Sequence, residues 1–329
     1  MRAFEYTRVS SPAEAVRAAS GNSGARYLAG GTNLLDLMKE DVSRPTELVD
    51  IGRLDLGAIK ATPKGLSLGA SAKNTDTANH PLVREGYPLL SQAILAGASQ
   101  QIRNMASNGG NLNQRTRCAY FYDTAMPCNK REPGTGCGAI GGLNRMHAVF
   151  GWSKQCVAVH PSDMCVALVA LDATLRVSGP NGERTIPFSN YHRLPDEHPE
   201  RDNTLEHGEL VTAIEIPKNR FAAHSYYLKV RDRASYAFAL VSVAAALELE
   251  GETIKAARVA MGGVAHKPWR ATQAEEYLVG KPATEETFAL AGEWAMKPAR
   301  PLEGNAFKVE LGARAIARAL MQAKNGGVV

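Results

Sequence analysis

Residues 105–156 of this 329-residue chain hold eight glycines, two prolines and four of its five cysteines. They show neither helical nor strand periodicity. So long an irregular stretch inside a compact chain is functional or disordered. Whatever the chain folds into must carry it as an insertion between regular elements. The fifth cysteine, Cys165, follows closely, and the 281 residues outside 118–165 contain none. An odd cysteine number argues against a disulfide scaffold. No apolar run follows Met1-Arg2-Ala3-Phe4, so no secretory signal peptide of the chain's own is expected. Reduced thiols in one short region leave metal binding, catalysis or coincidence.

The flanks are regular. Ser11-Pro12-Ala13-Glu14 reads as a capping box with proline at the first helical position, opening a helix that stops near Gly21. Strands are expected over 26–29, 47–51 and 66–70. Helices are expected over 34–39, with Thr32 or Asn33 as cap, from Asn74 or Thr75, and over 89–98. Beyond the irregular stretch, the apolar run 164–171 reads as a helix and 175–186 as a hairpin around Pro180-Asn181-Gly182. Strands follow at 210–216, 226–230, 237–249 and 254–261, then helices near 271–279, 285–297 and 310–323. Alternating strands and helices, then strands followed by helices, point to an α+β chain of about two domains. The expected division is 1–57 and 58–219, with the cysteine-rich insertion at about 113–156, and a C-terminal α+β domain at 220–325.

Composition excludes other classes. Thirty-eight basic against 33 acidic residues give a net charge of +5. With no long Lys/Arg run, nucleic acid is not an expected partner. No window approaches the roughly 20 apolar residues of a membrane span. There is no P-loop, and no Ser/His/Asp or Cys/His nucleophile arrangement stands out.

Two glycine pairs carry the first functional signal. Leu28-Ala29-Gly30-Gly31-Thr32-Asn33-Leu34 lies between a strand and a helix. There glycine lets backbone approach a ligand, and free amides suit a phosphate. Ala106-Ser107-Asn108-Gly109-Gly110-Asn111-Leu112 is a second such loop. Two of them would grip a dinucleotide's pyrophosphate, although each alone also reads as an ordinary turn. Gly136 to Gly141 matches G-x-G-x-x-G, but the polar segment 129–134 before it cannot be a buried strand, so the match is chance. Cys118, Cys128, Cys137 and Cys156 are separated by 9, 8 and 18 residues and form no CxxC pair. Four convergent thiolates would suit zinc or an iron–sulfur cluster. Cys165, in the apolar run, reads as a buried inert thiol. His147 and His160 are ligands or ordinary polar residues. Asp163, in His160-Pro161-Ser162-Asp163-Met164, is a candidate for ligand hydroxyls or a helix cap. Lys229-Val230-Arg231-Asp232-Arg233 faces a ligand or forms a solvated ion-pair row.

In order and spacing, 28–37 (LAGGTNLLDL), 107–112 (SNGGNL), 160–164 (HPSDM) and 229–239 (KVRDRASYAFA) resemble the flavin subunit of xanthine oxidase-type molybdenum hydroxylases. The resemblance covers essentially the whole chain. The stretch 115–130 (RTRCAYFYDTAMPCNK) looks like the FAD and [4Fe–4S] subunit of bacterial periplasmic aldehyde oxidoreductases. The flavin subunit of hydroxybenzoyl-CoA reductase has a similar insertion. The resemblance implies a bipartite FAD-binding domain of the vanillyl-alcohol-oxidase-like type and a C-terminal domain like that of the CO dehydrogenase flavoprotein. Carried over, Arg26, Tyr27, Leu28, Ala29, Gly30, Gly31, Thr32 and Asn33 would wrap the pyrophosphate. Ser107, Gly109, Gly110 and Asn111 would form the second wall, Asp163 would bind the ribityl or ribose region, and Lys229 would lie near the isoalloxazine. Cys118, Cys128, Cys137 and Cys156 would ligate a [4Fe–4S] cluster. Implied partners are a large molybdenum-cofactor subunit and a small [2Fe–2S] subunit, from which electrons pass through FAD to an external acceptor. The implied compartment is the periplasm, by co-export with a signal-bearing partner, or the cytoplasm. A stand-alone flavin oxidoreductase and a zinc-stabilised binding module remain the other readings.

Overall fold

The computed structural model describes residues 1–327. Three sheets follow one another along the chain. Strands β1 (Glu5–Arg8), β2 (Ala25–Leu28) and β3 (Glu47–Asp50) form a parallel sheet in the order β1-β3-β2. Parallel strands need crossovers, supplied by α1 (Pro12–Gly21) and the segment holding α2 (Leu34–Lys39). Ala15, Val16 and Ala19 of α1 bury against Val49 and Ala25. Ser11 caps α1 by accepting from the Glu14 amide, while the Glu14 carboxylate turns back to the Ser10 amide at 2.8 Å.

The second sheet is antiparallel: β4 (Ile59–Thr62), β5 (Gly65–Gly69), β6 (Thr174–Gly179), β7 (Gly182–Pro187) and β8 (Leu210–Pro217), in the order β4-β5-β8-β6-β7. Between β5 and β6 run α3 (Asn74–Asn79), α4 (Pro81–Gly86), α5 (Pro88–Ala96), α6 (Gln100–Met105), α7 (Asn108–Leu112), α8 (Ala119–Tyr122) and α9 (Asp163–Ala170).

The third sheet, β9 (Ser225–Val230), β10 (Val241–Glu250), β11 (Thr253–Gly262) and β12 (Trp269–Arg270), is antiparallel in the order β12-β11-β10-β9. Helices α10 (Thr272–Leu278), α11 (Glu285–Met296) and α12 (Phe307–Lys324) cover one of its faces. Alternation divides β10 between two cores. Val243, Ala245 and Leu247 join those helices, whereas Ala244 and Ala246 join the core of the second sheet. Helix α9, buried along its whole length, lies in that shared core.

Two expectations need correction. The strand expected from residue 237 starts at Val241. The Arg233 guanidinium binds the carbonyls of Ser235 and Tyr236 and closes a turn, with Tyr236 at φ +51°. Strands β1 and β4 lay outside the expected set. Both are four-residue strands with largely exposed side chains, so they carry no alternation to read.

The irregular stretch is ordered by local turns. Cys128 and Cys137 form an isolated antiparallel bridge, and the Asn129 side chain accepts from the amides of Gly134 and Gly136. No strand precedes the G-x-G-x-x-G lookalike. A small core of Phe121, Cys128 and Leu37 fixes the insertion to α2, with Tyr122 donating to Asp36 at 2.8 Å.

Candidate functional site

The two glycine loops meet, but they differ in chemistry. The first runs from β2 into α2. Asn33 occupies the cap position, yet its side chain makes no capping bond. Its Oδ1 instead accepts from the Arg115 amide at 2.8 Å, while Nδ2 is buried without a partner. The amides of Thr32, Asn33 and Leu34 therefore have no acceptor among the described residues. Free N–H groups at a helix start, beside Arg26 and Arg115, favour an anion. Gly30 has no room for a side chain: a Cβ there would lie 2.1 Å from the Met105 carbonyl oxygen.

The second loop starts α7 and keeps its donors inside the fold. Asn108 and Gly109 amides bind Ala72 and Ala70 carbonyls, the Gly110 amide binds Ser107 Oγ, and the Asn111 amide binds the Ser107 carbonyl. Asn111 Nδ2 donates to Asn74, and its Oδ1 accepts from Ser162 at 2.6 Å. Its glycines thus offer close approach and a rigid wall rather than a second set of amide donors.

A cavity of about 540 Å³ lines Arg26, Tyr27, Ala29 to Asn33, Ser107, Gly109, Gly110 and Arg115. Leu28 is the one residue of the expected 26–33 stretch outside it; its side chain instead approaches Gly31. A second cavity of about 590 Å³ holds Arg103, Asn111, Asp163, Lys229 and Phe238. The two share Thr32, Asn33 and Gly110, so the free amides sit at a waist between two chambers. The buried Nε of Arg103 also lacks a partner.

In the second chamber Asp163 and Lys229 find each other. Lys229 Nζ lies 2.7 Å from Asp163 Oδ2, and Tyr227 donates to Asp163 Oδ1 at 2.7 Å. Lys229 also reaches the Ala96 carbonyl at 3.1 Å. Both carboxylate oxygens are therefore held from within the chain. Sequence reasoning missed Tyr227, although its position two residues before Lys229 on β9 puts both on one face.

The four insertion thiols converge. Cys118 feels the charges of Cys128 and Cys137, and Cys137 hydrogen-bonds to Cys156. Burial pushes the Cys118 thiol up to about 11. The hydrogen bond with Cys156 pulls Cys137 down to about 6, and Cys156 rises in turn. His147 Nε2 approaches Cys118 Sγ at 3.1 Å. A third cavity, of about 290 Å³, runs past Cys118, His147 and His160 and shares Arg117, Met146, Pro161, Asp163 and Phe238 with the second chamber. The thiols and the second chamber are therefore neighbours.

Buried cations border the thiols. Lys130 is paired with Asp202 at 2.6 Å, and Arg115 holds the same carboxylate at 2.5 Å. Burial works to raise Asp202, but Arg115 and Lys130 overcome it and hold the carboxyl well below its ordinary range. Lys308 is fully buried with two carbonyl partners, His147 at 3.0 Å and Gly263 at 2.7 Å. Desolvation draws its ammonium down to about 7. None of these cations had a signal in the sequence, because their partners are remote.

Comparison with known proteins decides the family. The model for the FAD binding domain in molybdopterin dehydrogenase matches residues 2–219, and that for the CO dehydrogenase flavoprotein C-terminal domain matches 226–323. The chain belongs to the FAD-binding subunits of the molybdenum hydroxylases. It is 48% identical to the aldehyde oxidoreductase FAD-binding subunit PaoB of Escherichia coli K12, over 98% of this chain and 99% of PaoB. It is 30% identical to the glyceraldehyde dehydrogenase medium chain of Sulfolobus acidocaldarius, over 86% of this chain and 83% of the relative. Among solved structures, carbon monoxide dehydrogenase from Hydrogenophaga pseudoflava aligns with a TM-score of 0.78 at 26% identity, covering 99% of both chains. Quinoline 2-oxidoreductase from Pseudomonas putida 86 aligns with a TM-score of 0.77 at 25% identity, covering 100% and 99%. As a member of this family the chain binds FAD, is an oxidoreductase subunit, and has the two-part α+β architecture expected of it. Among the described residues, no helix is long and apolar enough to cross a membrane.

Proposed function

We propose that this chain is the FAD- and [4Fe–4S]-containing electron-transfer subunit of a molybdenum-dependent aldehyde oxidoreductase. It would work with a large molybdenum-cofactor subunit and a small [2Fe–2S] subunit and deliver electrons to an external acceptor. Similarity to the aldehyde oxidoreductase subunit supports the aldehyde reading. The observation that carries the electron-transfer reading is adjacency: a cavity holding Cys118 shares Arg117, Met146, Pro161, Asp163 and Phe238 with the larger chamber.

FAD, when bound, supplies chemistry that accepts electrons singly or in pairs; the protein supplies position and electrostatics. The amides of Thr32, Asn33 and Leu34, flanked by Arg26 and Arg115, would receive the pyrophosphate at the waist. Gly109 and Gly110 would let the opposite wall close on it. Asp163, already held by Tyr227 and Lys229, would fix the Lys229 ammonium in the second chamber, where a cation favours negative charge on a ligand.

Cys118, Cys128, Cys137 and Cys156 fit a cluster better than a single ion. Around one zinc at about 2.3 Å, four sulfurs crowd to about 4 Å from one another. Among the described residues no three of these thiols come within 4.8 Å of each other. A cubane, with each thiolate on its own iron, spreads them wider. His147 at Cys118 and the Lys130 ammonium near Cys156 would offset thiolate charge.

The proposed division is at residues 57 and 219. The proposed compartment is the periplasm, reached folded beside a signal-bearing partner, with the cytoplasm as the alternative; fractionation of cells separates the two. The functional test is Cys128→Ser in the full chain. Iron should be lost and most flavin retained. Iron retained at the wild-type level, or aldehyde turnover by the isolated chain without partners, would overturn the proposal.

A further inference from the structure

Cys165, His160 and His192 are left over from the function proposed above, yet they meet in the core. One ring nitrogen of each histidine and the Cys165 thiol lie within 4.8 Å of one another. They arrive from two segments: His160 and Cys165 from either side of the cap of α9, and His192 from just after the 3-10 turn Phe188–Asn190. The two rings are 4.2 Å apart, centroid to centroid. The three residues are 9%, 0% and 3% exposed, in the order His160, Cys165, His192.

Their hydrogen bonding is incomplete in an informative way. His192 Nε2 lies 2.9 Å from the Leu112 carbonyl oxygen. A carbonyl only accepts, so Nε2 carries the proton and Nδ1 keeps its lone pair. That Nδ1 is buried without a partner, and so is Nε2 of His160. A buried polar atom left unpaired costs about 1–3 kcal/mol. An electron-pair acceptor common to the two histidines and the Cys165 thiol would satisfy both atoms.

We propose that His160, Cys165 and His192 bind one thiophilic d10 cation, zinc in the first instance, with Cys165 as thiolate. Two imidazoles and a thiolate are a ligand set for zinc or copper rather than for magnesium or calcium. Cation binding releases the thiol proton to solvent; no electron is transferred and no other bond breaks. The supporting shell is in place. Leu112 orients His192 in the manner usual for metal-bound histidine, and Ser162 Oγ accepts from the Cys165 amide at 3.1 Å. Ser162 also donates to Asn111. His160 borders the 290 Å³ cavity, which gives an ion its access route. Since Leu112 and Asn111 end the second glycine loop, the ion would brace the wall that closes on the flavin.

The test is metal analysis of the full chain purified without chelator after growth with added zinc. The expected result is about one zinc or copper per chain beyond the iron. The Cys165→Ala and His192→Gln variants should each lose it by at least tenfold, while Cys128→Ser should lose iron and keep it. Zinc that disappears with Cys128→Ser instead belongs to the insertion thiols and overturns the proposal. So does zinc unaffected by Cys165→Ala, or a chain without zinc or copper. Should the variants not fold, cobalt(II) loaded into the wild-type chain with its iron in place gives an independent answer. A thiolate-to-cobalt charge-transfer band in the near ultraviolet supports the site, and its absence overturns it.

Discussion

Adding one methyl group at Gly30 should separate the two halves of the proposed flavin site. The Cβ of Gly30→Ala would fall 2.1 Å from the Met105 carbonyl oxygen, 2.8 Å from its carbon and 3.3 Å from Ala106 Cα. All three obstacles are backbone, so no rotamer change relieves them. Restoring ordinary contact requires the loop to retreat by about 1 Å. Such overpacking costs about 1–3 kcal/mol of stability. It also draws the amides of Thr32, Asn33 and Leu34 away from the waist. A hydrogen bond to a charged group contributes about 1.5–3 kcal/mol. Losing one or two of them, partly compensated, lowers FAD affinity by about a hundredfold at 1.4 kcal/mol per tenfold. The assay is titration of the deflavinated chain with FAD, followed by flavin fluorescence, with thermal unfolding measured separately. Gly86→Ala is the control, because nothing lies within 4 Å of its added Cβ; it should leave affinity unchanged. A folded Gly30→Ala chain that binds FAD within about twofold of wild type would refute the assignment of the waist.

Asp202→Asn strands the charges of Lys130 and Arg115 and should destabilise the chain by about 3–5 kcal/mol in urea. The depressed carboxyl adds stability above its unfolded value near pH 4. That stability disappears as pH falls through the lower folded value, so the gap between wild type and variant should close in acid. A gap that stays constant to the lowest accessible pH would contradict the pairing. Asp163→Asn leaves Lys229 buried without its counter-charge and should destabilise by a similar amount, about 3 kcal/mol. Adding Lys229→Met should recover much of that stability without restoring FAD affinity, read by the same two assays. Full recovery of both would mean that the pair is only structural.

Much of the site was legible because it is local. The strand–Gly30-Gly31–helix signal depends on neighbours in sequence, and α2 spans the expected Leu34–Lys39. Helix α9 and the hairpin around Gly182 were readable from apolar length and turn chemistry for the same reason. What was hidden depends on distant partners. Nothing near Asn33 shows that its side chain would leave the helix cap for the Arg115 amide. Nor does the second glycine loop advertise that Ala70, Ala72 and Ser107 take its donors. The Asp163–Lys229 contact spans 66 residues and links elements of two different layers. Edge strands such as β4 escaped because two solvent-facing sides leave no alternation. Cys165 reads as buried from its apolar run, but His192, which completes the cluster with His160, approaches from 27 residues further along the chain.

The central claim is that one chain carries FAD beside a thiolate-bound cluster. Its most direct test is the visible spectrum of the purified full chain, with flavin, iron and acid-labile sulfide quantified together. The account predicts a yellow-brown protein with about one flavin, four irons and four sulfides per chain. A flavin protein free of iron and sulfide, or a colourless chain with zinc on the four insertion thiols, would contradict it.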